Sequence, residues 1–197
     1  MNFVIKTARL AFFLTLLYLI CRGLMAGIQI THRQVPQTLS LSLLFVTQIS
    51  YTLIILWLTA VVYHLKAKAV IIGLVAYLVL IIVSFVLSFL LGNGLVASNL
   101  LYLQVSSVTA ILIIVALLFM IATSFRVEPP VIGVWYRIFF ISIIVATLLR
   151  TGLSAIISRW MPEIAFEAVA YLSLLPLLPA VALLFTVQKT TLALEGK

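Results

Sequence analysis

Hydrophobicity along this chain comes in blocks, with no sustained alternation of apolar and polar positions. Apolar runs cover residues 10–30, 39–63, 69–91, 100–123, 131–157 and 164–187. Each reaches the ~20 residues that a membrane-crossing helix needs. The connectors are short and carry stop signals: His32, Arg33 and Pro36 in 31–38; 64–68; Gly92-Asn93-Gly94; Pro129-Pro130; and Arg159, Trp160 and Pro162 in 158–163. Short connectors make neighbouring helices run antiparallel and pack together. The pattern therefore predicts an all-α polytopic membrane protein, a bundle of six transmembrane helices forming one transmembrane domain over residues 1–197. Trp135, Trp160 and Tyr63 fall where interfacial aromatics belong. No heptads, low-complexity stretch or internal repeat is evident.

Composition strengthens this picture. Of 197 residues, 65% are hydrophobic and 8% charged, against about 25% charged in soluble domains. The net charge of +8 is spread singly over segment ends, without the basic stripe of a nucleic-acid binder. It reads as a topology signal. Lys6, Arg9, Lys66, Lys68, Arg126, Lys189 and Lys197 fall on one side of six spans, and Arg33 and Arg159 on the other. By the positive-inside rule both termini are expected in the cytoplasm. The N-terminus resembles a signal peptide, but we read it as a retained first span. Tyr18-Leu19-Ile20 before Cys21 lacks the small residue of a lipoprotein cleavage site. Cys21, the single cysteine, excludes an intrachain disulfide.

Charge inside a span is costly and seldom accidental, and this directs attention to Arg150. It lies about 12 Å below the end of the fifth span at 1.5 Å per residue. Ser142, Ala146, Arg150, Ser154 and Ser158 recur every four residues, and small residues at that spacing let membrane helices approach closely. The arginine is expected to face protein, within reach of Glu167 on the sixth span, with Tyr171 adding a hydroxyl. The pair is either a tie that fixes helix registry or a site for an anionic group, which a guanidinium binds through its planar fork. Arg22 either snorkels to the interface or pairs with Glu163 or Glu167. Pro176 and Pro179 each remove a backbone donor and crowd the carbonyls of Leu172 and Leu175, so a kink is expected there, with a hinge as its functional reading. Gln48, which shares a face with Thr52, either joins a pocket with Arg150 or bonds across a helix interface.

Other chemistry is missing. The chain has no aspartate, and its acidic residues are Glu128, Glu163, Glu167 and Glu195. His32 and His64 fall on opposite sides of the expected topology, so no metal site and no cofactor is expected. No GxSxG elbow, phosphate loop or dinucleotide fingerprint is present, and the chain is not expected to be an enzyme.

Leu148-Leu149-Arg150, then Glu167 with Tyr171, then Leu178-Pro179-Ala180 leading into Leu184-Phe185-Thr186-Val187, resemble the end of the RTA-like fungal lipid-translocating exporter family. The resemblance implies a polar core of Arg150 and Glu167 and a lipid cargo. The chain departs from that family in lacking a second arginine soon after Arg150, an aspartate between Tyr171 and Pro176, and a seventh span. Three functions remain open: a transporter or lipid-handling protein for an amphiphile with an anionic group, a structural or assembly subunit of a larger membrane complex, and a receptor-like bundle. The expected partners are membrane lipids, with other membrane subunits or self-association, and no nucleic acid.

Overall fold

In hydrocarbon, every backbone N–H and C=O must find its partner within its own segment, which makes each apolar run a helix. The computed structural model describes residues 2–32, 35–92 and 99–195. Its helices are α1 (Asn2–Ile30), α2 (Gln37–His64), α3 (Lys68–Gly92), α4 (Asn99–Ser124), α5 (Pro130–Trp160), α6 (Ala165–Tyr171) and α7 (Leu177–Glu195), with a 3-10 turn at Leu172–Leu174. Counting α6 to α7 as one, six spans are long and apolar enough to cross a membrane. The chain is an all-α integral membrane protein. Asn93 and Gly94 of the expected turn, and Arg33 and Lys197 of the charge count, lie outside the described residues.

Several helices outrun their apolar blocks. The first block starts at residue 10 but α1 starts at Asn2, and α7 continues to Glu195. Hydropathy marks what tolerates hydrocarbon, whereas a helix can continue into the interface, where Lys6, Arg9 and Lys189 reach water. The 31 residues of α5 extend about 46 Å at 1.5 Å per residue, well beyond a ~30 Å hydrocarbon core.

The sixth span is broken. Pro176 lacks an N–H and its ring crowds the carbonyl four residues back. There the chain tightens into the 3-10 turn and resumes as α7 at Leu177. Pro179 sits in the first turn of α7, where a missing donor costs nothing.

The spans form a closed ring. Each helix from α1 to α5 packs on the next, α5 packs on α7, and α7 returns to α1, with α6 against α1 and α5. On α1, Leu10, Phe13, Leu17, Ile20 and Leu24 are exposed, while Val4, Ala8, Ala11, Thr15 and Tyr18 are buried. Large side chains thus cover the outer face and mostly smaller ones the inner. Lipid tails are as apolar as leucine, so packing contacts hold such a bundle, with no hydrophobic drive between helices.

The half of the ring that carries both termini, the terminal half, is filled solid. Ile54, Leu58, Leu74, Met120, Tyr136, Phe139, Phe140 and Leu183 meet there, each fully buried. Tyr136 donates to the Leu58 carbonyl at 3.0 Å, and Thr186 to the Trp135 carbonyl at 3.1 Å. Close approach is extreme at Gly133, where a Cβ would lie 2.5 Å from the Ser124 carbonyl oxygen.

Candidate functional site

The opposite half, the far half, is hollow. A cavity of about 600 Å3 opens there, lined from α1, α2, α3, α5 and the α6–α7 break. Helical spacing brings each contribution to it. Tyr18 and Arg22 are four apart on α1, and Gln48 and Tyr51 are three apart on α2. From α5 come Ala146, Thr147, Arg150, Thr151 and Ser154, the three-and-four rhythm of one helix face. Pro176 and Pro179 bring the break to the wall, and Tyr77 completes it from α3.

The electrostatics are one-sided. Two guanidinium groups line the cavity and no carboxylate does. Among the described residues, neither Arg22 nor Arg150 has a hydrogen bond or an ion pair. Arg22 sits 5.5 Å from the Tyr18 ring centroid, and its Nε is buried without a partner. The Gln48 amide nitrogen is also buried and unpartnered. Tyr18 stacks on Tyr51 at 5.0 Å, and the Tyr51 and Tyr77 hydroxyls meet at 2.7 Å. A buried donor left unbonded costs about 1–3 kcal/mol, so unpartnered donors around a cavity mark where a ligand's oxygens would be stabilised. On α5 outside the cavity, the guanidinium of Arg137 lies 4.0 Å over the Phe125 ring.

Of the residues singled out from sequence, Arg150, Ser154, Gln48, Pro176 and Pro179 come together on this wall. Glu167 and Tyr171 do not. They lie four apart on an exposed face of α6, with Tyr171 60% exposed, and among the described residues no ion pair joins Glu167 to Arg150. The reason is local. On α6, Ala165, Phe166, Val169 and Ala170 form the face that shares a hollow with Arg150, and at about 100° per residue Glu167 and Tyr171 fall on the opposite side.

The serine stripe of α5 is also corrected in part. Four residues advance a helix by a full turn plus about 40°, so the stripe drifts. Ser142 and Ala146 are buried, Arg150 and Ser154 line the cavity, and Ser158 is exposed. Arg150 is itself exposed, facing open space where tight packing was expected.

Most other intramembrane hydroxyls are satisfied within their own helices. Thr15, Thr47 and Thr109 donate to the carbonyls of Ala11, Leu43 and Val105 at 2.6–2.7 Å. They need no ligand. Sequence reasoning gave Arg22 no place in a cavity and left out Tyr18, Tyr77, Thr147 and Thr151. The four-residue step from Tyr18 to Arg22 was a readable signal. The meeting of Tyr77 with Tyr51 had none, because it depends on how two helices are rotated. Among the described residues no three His, Cys or acidic side chains lie close enough to hold a metal ion.

Compared with known proteins, the chain significantly matches no family model, no curated protein and no solved structure.

Proposed function

We propose that this protein is a transporter or lipid-handling protein that receives the anionic group of an amphiphile between Arg22 and Arg150. One observation carries the reading: two arginines without counter-ions share one cavity inside an apolar bundle. A structural tie would pair such a charge, since an intramembrane cation normally has a partner within the protein. Here the missing partner is the ligand. The Gln48 amide and the Tyr51–Tyr77 hydroxyl pair supply further donors, and Ser154 extends the polar wall. The positive-inside rule turns the terminal half toward the cytoplasm, which puts the cavity in the opposite leaflet. Pro176 and Pro179 act as a hinge, because both line the cavity at the break in the sixth span, where movement would reshape its wall. The resemblance of residues 148–187 to lipid-translocating exporters points to the same class of cargo.

The test is movement of a fluorescent anionic lipid between leaflets of vesicles carrying the purified chain. Arg150→Gln should keep the melting temperature and slow that movement about tenfold or more. If the variant is folded and moves lipid at the wild-type rate, the reading fails. If it is lost only through failure to fold or assemble, Arg150 is a structural element and the chain an assembly subunit.

A further inference from the structure

We infer that the ligand of the cationic cavity is a phosphate-headed lipid whose acyl chain leaves the cavity sideways through an apolar groove between α2, α3 and α4. This rests on the anion-binding reading above and adds the head chemistry and the path of the chain.

The cavity does not stand alone. A hollow of about 280 Å3 shares Gln48 and Ile81 with it and is otherwise lined by Leu44, Ser84, Phe85, Ser88 and Ile113. It holds no charged side chain. The Ser88 hydroxyl is occupied by the Ser84 carbonyl at 2.8 Å, and Leu44, Ile81, Phe85 and Ile113 make most of the groove wall apolar. At the far end of the α2–α3 seam, Phe45 sits edge-on to Phe85 and Phe89, both at 5.5 Å. On the other side, a hollow of about 640 Å3 shares Arg150 with the cavity and presents Gln29, His32 and Ser158.

The three spaces thus form one track. It runs from an opening of mixed polarity, where Phe166 and Val169 face Gln29 and Ser158, past Arg150 into the cationic cavity, then past Gln48 into the groove. A soluble anion would use the first two spaces and leave the groove without an occupant. A lipid uses the cavity and the groove together, its head among the arginines and its chain beyond Gln48.

The head is identified by counting donors against acceptors. Two guanidinium groups, an unpartnered amide and a pair of phenols offer more N–H and O–H groups than the two oxygens of a carboxylate can accept. A phosphate monoester presents three free oxygens and close to two negative charges near neutral pH, and arginine forks bind it bidentately.

The experiment measures binding of dioctanoyl phosphatidic acid and of inorganic phosphate to the full chain in non-ionic detergent. Wild type should bind the lipid about tenfold or more tighter than phosphate, since each tenfold corresponds to 1.4 kcal/mol. Ser88→Trp, which fills the groove without touching the cationic cavity, should erase that advantage and leave phosphate binding unchanged. Phe85→Ala, which strips one apolar wall, should weaken lipid binding several-fold and leave phosphate binding unchanged, and it serves if the tryptophan variant misfolds. If both variants bind the lipid as wild type does while Arg150→Gln weakens it, the chain lies elsewhere: the groove inference is overturned and the anion-binding reading stands. If phosphate binds as tightly as the lipid, the ligand is a free anion and the inference is overturned. If wild type binds neither probe, both readings fall.

Discussion

The two halves of this ring are built from the same helices and obey opposite rules. In the terminal half, Tyr136, Phe139, Phe140 and Leu58 are fully buried, and a Cβ on Gly73 or Gly133 would collide with a neighbour. In the far half, a Cβ on Gly23, Gly27 or Gly152 would meet nothing within 4 Å. Polar groups differ less sharply: Tyr136 in the terminal half is hydrogen-bonded across helices, although Thr190 Oγ1 there is buried without a partner among the described residues, and Arg22 and Gln48 in the far half hold buried nitrogens likewise unpartnered. A membrane bundle held by packing alone can leave half its interior open only if the other half is close-packed enough to keep the ring together. The difference separates a clamp from a receptacle.

The clearest way to break this contrast is with glycine. Gly133→Ala puts a methyl 2.5 Å from a backbone oxygen that cannot step aside, an overpacking that should cost about 2–3 kcal/mol. Gly152→Ala enters open space and should stabilise the helix by up to about 1 kcal/mol. Reversible unfolding in mixed micelles measures both, and equal losses would refute the division. Gly73→Ala should fall between them, because its nearest neighbour, Met120 Cγ, belongs to a flexible side chain.

Tyrosine gives a finer test. Tyr136→Phe removes the second hydrogen bond on the Leu58 carbonyl, which keeps its helical one, and the loss should be about 1 kcal/mol. Tyr51→Phe removes the 2.7 Å contact with Tyr77 beside a cavity where water or ligand can replace it. Its effect on unfolding should be below about 0.5 kcal/mol, with its main effect on ligand affinity.

The smallest stability effect should come from the charges themselves. Arg22→Gln removes one of two like charges that no acidic group balances. The melting temperature should stay level or rise, while affinity for an anionic lipid falls about tenfold or more. A drop in melting temperature without a drop in affinity would make Arg22 a structural group.

Much of this architecture was legible in the chain. Six spans follow directly from blocks of apolar residues, and Arg150 stood out because charge in such a block is expensive. Ser154 and Gln48 were legible as polar positions on the faces that meet it, and the break at Pro176 followed from proline geometry. The lack of an acidic partner for Arg150 among the described residues was not. Glu167 lay at the right depth, but depth says nothing about rotation, and the short helix before the break turns Ala165, Val169 and Ala170 toward the hollow it shares with Arg150. The cavity was equally hidden. Arg22 lies near enough to the end of its span to be excused by snorkelling, and only the folded ring shows that it shares a space with Arg150.

The central claim is that the far half holds an anionic head between Arg22 and Arg150. It is tested most directly by native mass spectrometry of the full chain, gently extracted from its membrane. Wild type should carry anionic lipid that survives removal of the detergent shell, and Arg22→Gln with Arg150→Gln should lose that adduct while remaining folded. Equal retention by the folded double variant, or retention of zwitterionic lipid in its place by wild type, would contradict the account.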